Sequence, residues 1–247
     1  MKELKQNRLM LAGILVFSAM TMIGLVDNLI KYIGEDGSVW QFHFSRSVII
    51  CIVLLIVSRI YKLQLLPNNF FFVAIRSFFG ATAMIMYFGA LSVIPIAEAG
   101  AGLFTAPIFV LIISSFYFKV KIGIWRILAV VIGFSGVLLM LQPDTHNLSY
   151  FSFLPLLAGF FYGLCVLTTR YLCLNESTEV LTLGFFVALG IYGILGLLYF
   201  TIFPVSYEAN FLTRGFVWPS LNFTLIVICQ AFVSVIGVAL ITRGYQV

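Results

Sequence analysis

The run Glu179-Val-Leu-Thr-Leu-Gly-Phe-Phe-Val-Ala-Leu-Gly-Ile-Tyr-Gly-Ile-Leu-Gly-Leu-Leu-Tyr-Phe-Thr-Ile-Phe203 carries one charge, at its first position. An apolar run of this length spans the ~30 Å hydrocarbon core of a bilayer as a helix. Lipid offers no partner to backbone N–H and C=O groups, so only helices and closed barrels cross it. Barrel strands are much shorter than this run, at about ten residues. The run is therefore read as a transmembrane helix. Seven further stretches have the same character, at roughly 9–33, 39–58, 70–92, 95–118, 122–141, 151–172 and 219–242. The connections between them are short, and none is long or polar enough to fold as a soluble domain. The expected fold class is all-α, a polytopic membrane helix bundle with eight spans.

Composition agrees. Of 247 residues, 62% are hydrophobic and 9% charged, against about 25% charged in a soluble domain. So few charges cannot wet the surface of a globule this size, which excludes a water-soluble enzyme and a nucleic-acid binder. The net charge of +5 is dispersed along the chain. It reports orientation, because Lys and Arg concentrate in cytoplasmic loops. Lys2, Lys5, Arg8, Arg59, Lys62, Lys119, Lys121, Arg170 and Arg243 fall on one side, opposite loops that contain only Arg214. The amino terminus is expected in the cytoplasm. The first span follows basic residues, but it is too long for a signal-peptide core and has no small-residue cleavage site. It is read as retained.

Catalytic and metal-binding patterns are missing from the sequence. Cys51, Cys165, Cys173 and Cys229 have no CxxC or metal spacing, and are read as inert thiols. His43 and His146 lack the partners of a zinc site or a triad. No nucleotide-binding loop is present, so neither an enzyme nor a cofactor is expected.

Ionisable groups within spans cost several kcal/mol at the bilayer centre and mark function by default. Asp27 and Lys31, one helical turn apart, can pair at i,i+4. His43 and Arg46 lie in the outer part of the second span, with Arg46 about 9 Å below its start. Glu98 opens the fourth span from the same side. Two readings stand for this group. It forms a polar vestibule in which Arg46 attracts a carboxylate or closes onto Asp27 or Glu98, or its outer members snorkel to the interface. Arg76 and Arg126, near the cytoplasmic ends of the third and fifth spans, are read as topology anchors. Gln230, deep in the last span, either faces a cavity or hydrogen-bonds a neighbouring helix.

Small residues mark close helix approach: Gly159 and Gly163 in the sixth span, and Gly190, Gly193 and Gly196 in the seventh. Pro107, in mid-span, leaves a carbonyl without its usual donor, and such breaks border cavities. The two halves also echo one another. Leu156–Arg170 is similar to Leu11–Lys31, and Ile241-Thr-Arg-Gly-Tyr245 resembles the Met86–Leu91 stretch. This divides the chain into a first repeat, 1–143, with five spans and an incomplete second repeat, 144–247, with three.

Several phrases in order resemble the EamA-like carriers of the drug/metabolite transporter superfamily. They are Asp27-Asn-Leu-Ile-Lys-Tyr32, Phe44-Ser-Arg-Ser47, Arg76-Ser-Phe-Phe-Gly80, Leu91-Ser-Val-Ile-Pro-Ile-Ala-Glu-Ala99 and Phe104-Thr-Ala-Pro107. Trp125-Arg126, Gly133-Phe-Ser-Gly136 and Gln142-Pro143 complete the set. The resemblance implies a ten-helix inverted-repeat carrier with alternating access, of which the last two helices are not seen here. It implies that Asp27, Arg46 and Glu98 border the solute route and that Thr105 and Pro107 shape its wall. Members of the family move S-adenosylmethionine, amino acids or related metabolites.

The function expected is secondary transport of a small polar organic metabolite in a bacterial inner (cytoplasmic) membrane. The lipid bilayer and the solute are the partners, coupling to a proton or counter-solute is open, and the oligomeric state is not determined. The alternative is a non-transporting membrane protein, a shortened carrier or an assembly partner.

Overall fold

A computed structural model describes residues 2–34, 36–91, 94, 96–141, 153–205 and 210–246. The described residues form nine α-helices, in order α1 (Lys2–Asp27), α2 (Val39–Tyr61), α3 (Phe70–Ala90), α4 (Ile96–Leu103), α5 (Ala106–Phe116), α6 (Ile124–Leu141), α7 (Leu154–Tyr171), α8 (Thr178–Ile202) and α9 (Leu221–Gln246). A 3-10 turn, Asn28–Tyr32, continues α1. The described residues contain no strand. Among the described residues, seven segments are long and apolar enough to cross a membrane. The remaining expected span corresponds to α6, whose described apolar part, Ile124–Gly136, is shorter. The molecule is a multi-pass, all-helical membrane bundle.

Local chemistry sets the helix starts. Ser38 accepts the Gln41 N–H at 3.2 Å, Asn69 that of Phe72 at 3.2 Å, and Ser177 that of Val180 at 3.2 Å. Each cap satisfies one donor that the first helical turn leaves open. Lys62 ends α2 in the left-handed conformation, with φ 54°. The fourth expected span is discontinuous. It breaks between α4 and α5 at Phe104–Thr105, with Pro107 in the first turn of α5. Pro tolerates that position because the N–H it lacks would be unpaired there anyway.

Between lipid-bathed helices no hydrophobic force drives association, so close packing and hydrogen bonds hold them together. The principal pairs are α3 with α7, α2 with α8 and α1 with α9. Next come α3 with α8 and α2 with α9, and α4 and α5 pack onto α7. Two glycines show why these helices meet. A Cβ on Gly193 would lie 2.6 Å from the Phe44 nitrogen of α2, and one on Gly159 would run into Gly102 and Thr105 at the α4–α5 break. Outward positions such as Phe17, Phe116 and Trp125 are exposed apolar side chains, as a lipid-facing surface requires.

Candidate functional site: a two-ended cavity within the bundle

Each end of the bundle is tied by hydrogen bonds. At one end, segment 210–220 crosses the α1–α2 turn. Trp40 Nε1 donates to Leu212 O at 2.7 Å, Gln41 Nε2 to Val217 O at 2.8 Å, and Ser220 Oγ to Asp36 Oδ2 at 2.6 Å. At the other end, the buried Glu176 accepts the backbone N–H of Asn68 at 3.0 Å and of Asn69 at 2.7 Å. Its carboxylate thereby sits at the start of α3, where the helix dipole favours a negative charge. Gln246, at the end of α9, donates to Glu176 O at 2.7 Å and accepts from Thr178 Oγ1 at 3.0 Å. The α2–α3 loop, the α7–α8 loop and the end of α9 are thus clamped together.

Between these closures lies a cavity of about 220 Å³. Met20, Ile23, Met84, Phe185 and Val238 form its apolar walls, and Asp27, Arg76, Tyr87, Tyr162, Thr242 and Tyr245 its polar ones. One face of α9 carries Gln230, Ser234, Val238, Ile241, Thr242 and Tyr245, at helical spacing, and runs alongside it.

Asp27 is held by Gln230, whose Nε2 donates to Asp27 Oδ1 at 3.2 Å and to Val26 O at 2.9 Å. Gln230 Oε1 accepts from Ser234 Oγ at 3.4 Å, and Ser234 accepts from Arg46 Nη1 at 3.3 Å. The chain Arg46→Ser234→Gln230→Asp27 has all its donors pointing one way, so each bond polarises the next. Arg46 is 4% exposed. Its guanidinium carbon lies 4.8 Å from the Phe42 ring, 5.5 Å from Phe88 and 5.8 Å from Phe186, within reach of cation–π attraction. Nη2 meets His43 Nδ1 at 3.1 Å. A guanidinium has no acceptor, so His43 accepts there and its proton sits on Nε2. His43 Nε2 and Arg46 Nε are buried without a hydrogen-bond partner among the described residues.

Arg76 is the site residue that sequence reasoning missed. Read as an anchor reaching the interface, it is instead 4% exposed and turned inward. Its Nε donates to Thr169 Oγ1 at 3.1 Å, Nη1 to Leu181 O at 2.7 Å and Nη2 to Thr242 Oγ1 at 3.1 Å. Three helices supply three neutral acceptors. The signal in the sequence was faint: Thr169 and Thr242 are polar positions in otherwise apolar spans, far apart along the chain. Beside Arg76, the Tyr162 and Tyr245 hydroxyls meet at 3.3 Å. Arg126, by contrast, is exposed.

Of the six residues expected at the site, Asp27 lines the cavity, and Gln230 and Arg46 stand behind it in one hydrogen-bonded chain. Thr105 is buried at the α4–α5 break, donating to Gly102 O at 2.6 Å, and Pro107 is exposed. Neither is among the lining residues. The Glu98 backbone belongs to α4, and its side chain is outside the described residues. The expected Asp27–Lys31 turn is not α-helical, because α1 ends at Asp27 and a 3-10 turn follows. The Lys31 side chain and His146 also fall outside the described residues. No cluster of three metal-ligating side chains occurs among the described residues.

A multi-pass bundle with a polar-ended cavity among its helices is the architecture of a small-solute transporter. Residues 10–142 match the EamA-like transporter family, more than half of the chain, and the protein belongs to that family. A Helicobacter pylori protein described as an uncharacterized transporter is 24% identical over 196 residues, covering 78% of this chain and 66% of that one. A riboflavin transporter of Rhizobium johnstonii is 29% identical over 99 residues, covering 40% of this chain and 33% of its own length. One of Vibrio cholerae is 31% identical over 88 residues, covering 36% and 30%. The chain thus spans 66% or less of the length of these relatives. A solved crystal structure matches the fold with a TM-score of 0.68 at 18% identity, over 95% of this chain and 78% of that one. These relatives point to a transporter rather than an enzyme.

Proposed function

We propose that the protein is a secondary carrier of a small polar organic metabolite, working by alternating access in a bacterial cytoplasmic membrane. The observation that carries this reading is the cavity between two hydrogen-bonded closures, with Asp27 and Arg76 in its lining. A carrier needs such a site and two ends that open in turn. The clamp at Glu176 and the crossing segment 210–220 are the two ends on this reading. The Arg46–Ser234–Gln230–Asp27 chain links α2, α9 and α1, and so couples the state of Asp27 to the packing of three helices. Asp27 is also where a coupling proton would act. Glu98 borders the route from α4, and Thr105 and Pro107 supply a hinge at the break rather than a wall.

Two inverted repeats, 1–143 and 144–247, fit the helix pairings. With α1, α2 and α3 matched to α7, α8 and α9, the α3–α7 pair exchanges with α9–α1. The α2–α8 pair maps onto itself, and α3–α8 exchanges with α9–α2. The clamped end also gathers Arg59, Lys62, Arg170 and Arg243, which supports placing it, with the amino terminus, in the cytoplasm.

The solute panel follows from the family and the relatives: S-adenosylmethionine, amino acids and riboflavin. In vesicles containing the purified chain, one of these is expected to exchange across the membrane. The Arg46→Ala variant is expected to lose that exchange while keeping a cooperative unfolding transition, and Arg126→Ala to transport as the parent does. Undiminished transport by folded Arg46→Ala would overturn the assignment of Arg46. A folded chain that moves nothing would favour the non-transporting alternative.

A further inference from the structure

We propose that the solute is an elongated amine–carboxylate, lying with its carboxylate against Arg76 and its cationic end against Asp27. This rests on the carrier reading and names the substrate class of the same cavity. Arg76 is a buried cation whose acceptors among the described residues are two hydroxyls and a carbonyl. Its guanidinium has five N–H donors, so it keeps donors to spare after those three bonds. A buried charge is costly unless an opposite charge meets it, and a solute carboxylate in the cavity supplies one. At the opposite end, Asp27 is a carboxylate held through one oxygen by the neutral Gln230. Among the described residues, the cation linked to it by hydrogen bonds is Arg46, reached through the neutral Gln230 and Ser234.

The separation of the two poles decides the shape of the solute. Asp27 is bonded to Gln230 and Arg76 to Thr242. Those partners are a dozen positions apart on α9, about 18 Å along its axis. An α-amino acid carries both charges on neighbouring carbons and reaches one pole at a time. A solute with its charges at opposite ends of a chain meets both. The wall between the poles, Met20, Ile23, Met84, Phe185 and Val238, suits methylene groups. The volume of about 220 Å³ lies below the ~300–1,000 Å³ of pockets for drug-sized ligands. So small a volume between poles so far apart favours a thin chain over a fused-ring body.

The test compares two isomers, 8-aminooctanoate and 2-aminooctanoate, by titration calorimetry on the full chain in mild detergent. They have the same atoms, and only the spacing of their charges differs. The separated-charge isomer is expected to bind at least tenfold more tightly. Its methyl ester and its N-acetyl derivative, each lacking one charge, are expected to bind at least tenfold more weakly than the parent. Arg76→Gln should erase the difference between acid and ester, and Asp27→Asn that between amine and N-acetyl compound. Equal binding of the two isomers, or tighter binding of 2-aminooctanoate, overturns the proposal even if Arg76→Gln fails to fold. Binding of a panel metabolite but of no separated-charge compound overturns this inference and leaves the carrier reading standing. If neither set binds or crosses vesicles, the carrier reading falls with it.

Discussion

Asp27, Arg46 and Arg76 show how differently charges in an apolar run can be read. Asp27 and Arg46 stand out because their depth leaves snorkelling a poor escape. Arg76 lies closer to the end of its span, where a long side chain can reach either water or a neighbour. Its sequence position fits both, and only Thr169, Leu181 and Thr242, brought from three other places in the chain, show that it turns inward. Cys173, in the loop after α7, offers a test at this scale. Its side chain has no exposed surface, and burial, with Glu176 adding, pushes the thiol up to about 11. Only the thiolate reacts, so the labelled form is scarce at neutral pH and grows as pH rises toward that value. In a chain whose other thiols are replaced by Ala, maleimide labelling of folded protein should be slow at neutral pH and rise steeply in alkali. Fast labelling at neutral pH would mean that the loop opens or the thiol is not buried. The expectation of inert thiols holds in burial for Cys165 and Cys173, while Cys229 is exposed on α9.

At the level of elements, the signals were local and could be read directly. Pro107 announced the break that separates α4 from α5. The glycines of the sixth and seventh spans announced close approach, and Gly159 and Gly193 meet backbone atoms of their neighbours. Gly193→Val should therefore push α8 away from α2 and destabilise the bundle by about 1–3 kcal/mol, the usual cost of overpacking. A lowered unfolding midpoint in detergent is the readout, and an unchanged midpoint would show that α2 and α8 can part without cost. The polar face of α9 was harder to see. Gln230, Ser234 and Thr242 are visible as polar residues, but the apolar residues around them leave no amphipathic pattern to show which way they turn.

The arrangement of helices across the whole molecule sets which residues can act together. The Glu176 clamp joins three segments that are distant in sequence, and on the carrier reading it must release once per cycle. A short thiol cross-linker between Thr178→Cys and Gln246→Cys, whose parent side chains bond at 3.0 Å, should hold that end shut. Transport in vesicles should stop on linking and return with a cleavable linker after reduction, with each single variant active. Continued transport by the fully linked protein would show that this end does not open.

The sequence by itself determined the membrane class, the places of the spans, the break at Pro107 and the family phrases. Lipid forces each helix to satisfy its backbone internally, so every span must be apolar along its own length and can be read alone. Which face of each helix turns inward was decided by tertiary structure, because it depends on neighbours supplied from elsewhere in the chain. Arg76 in the cavity, Gln230 on Asp27 and Glu176 on α3 are such pairings. Each joins residues that no local spacing connects, and bundle packing alone sets the polar ends of the cavity.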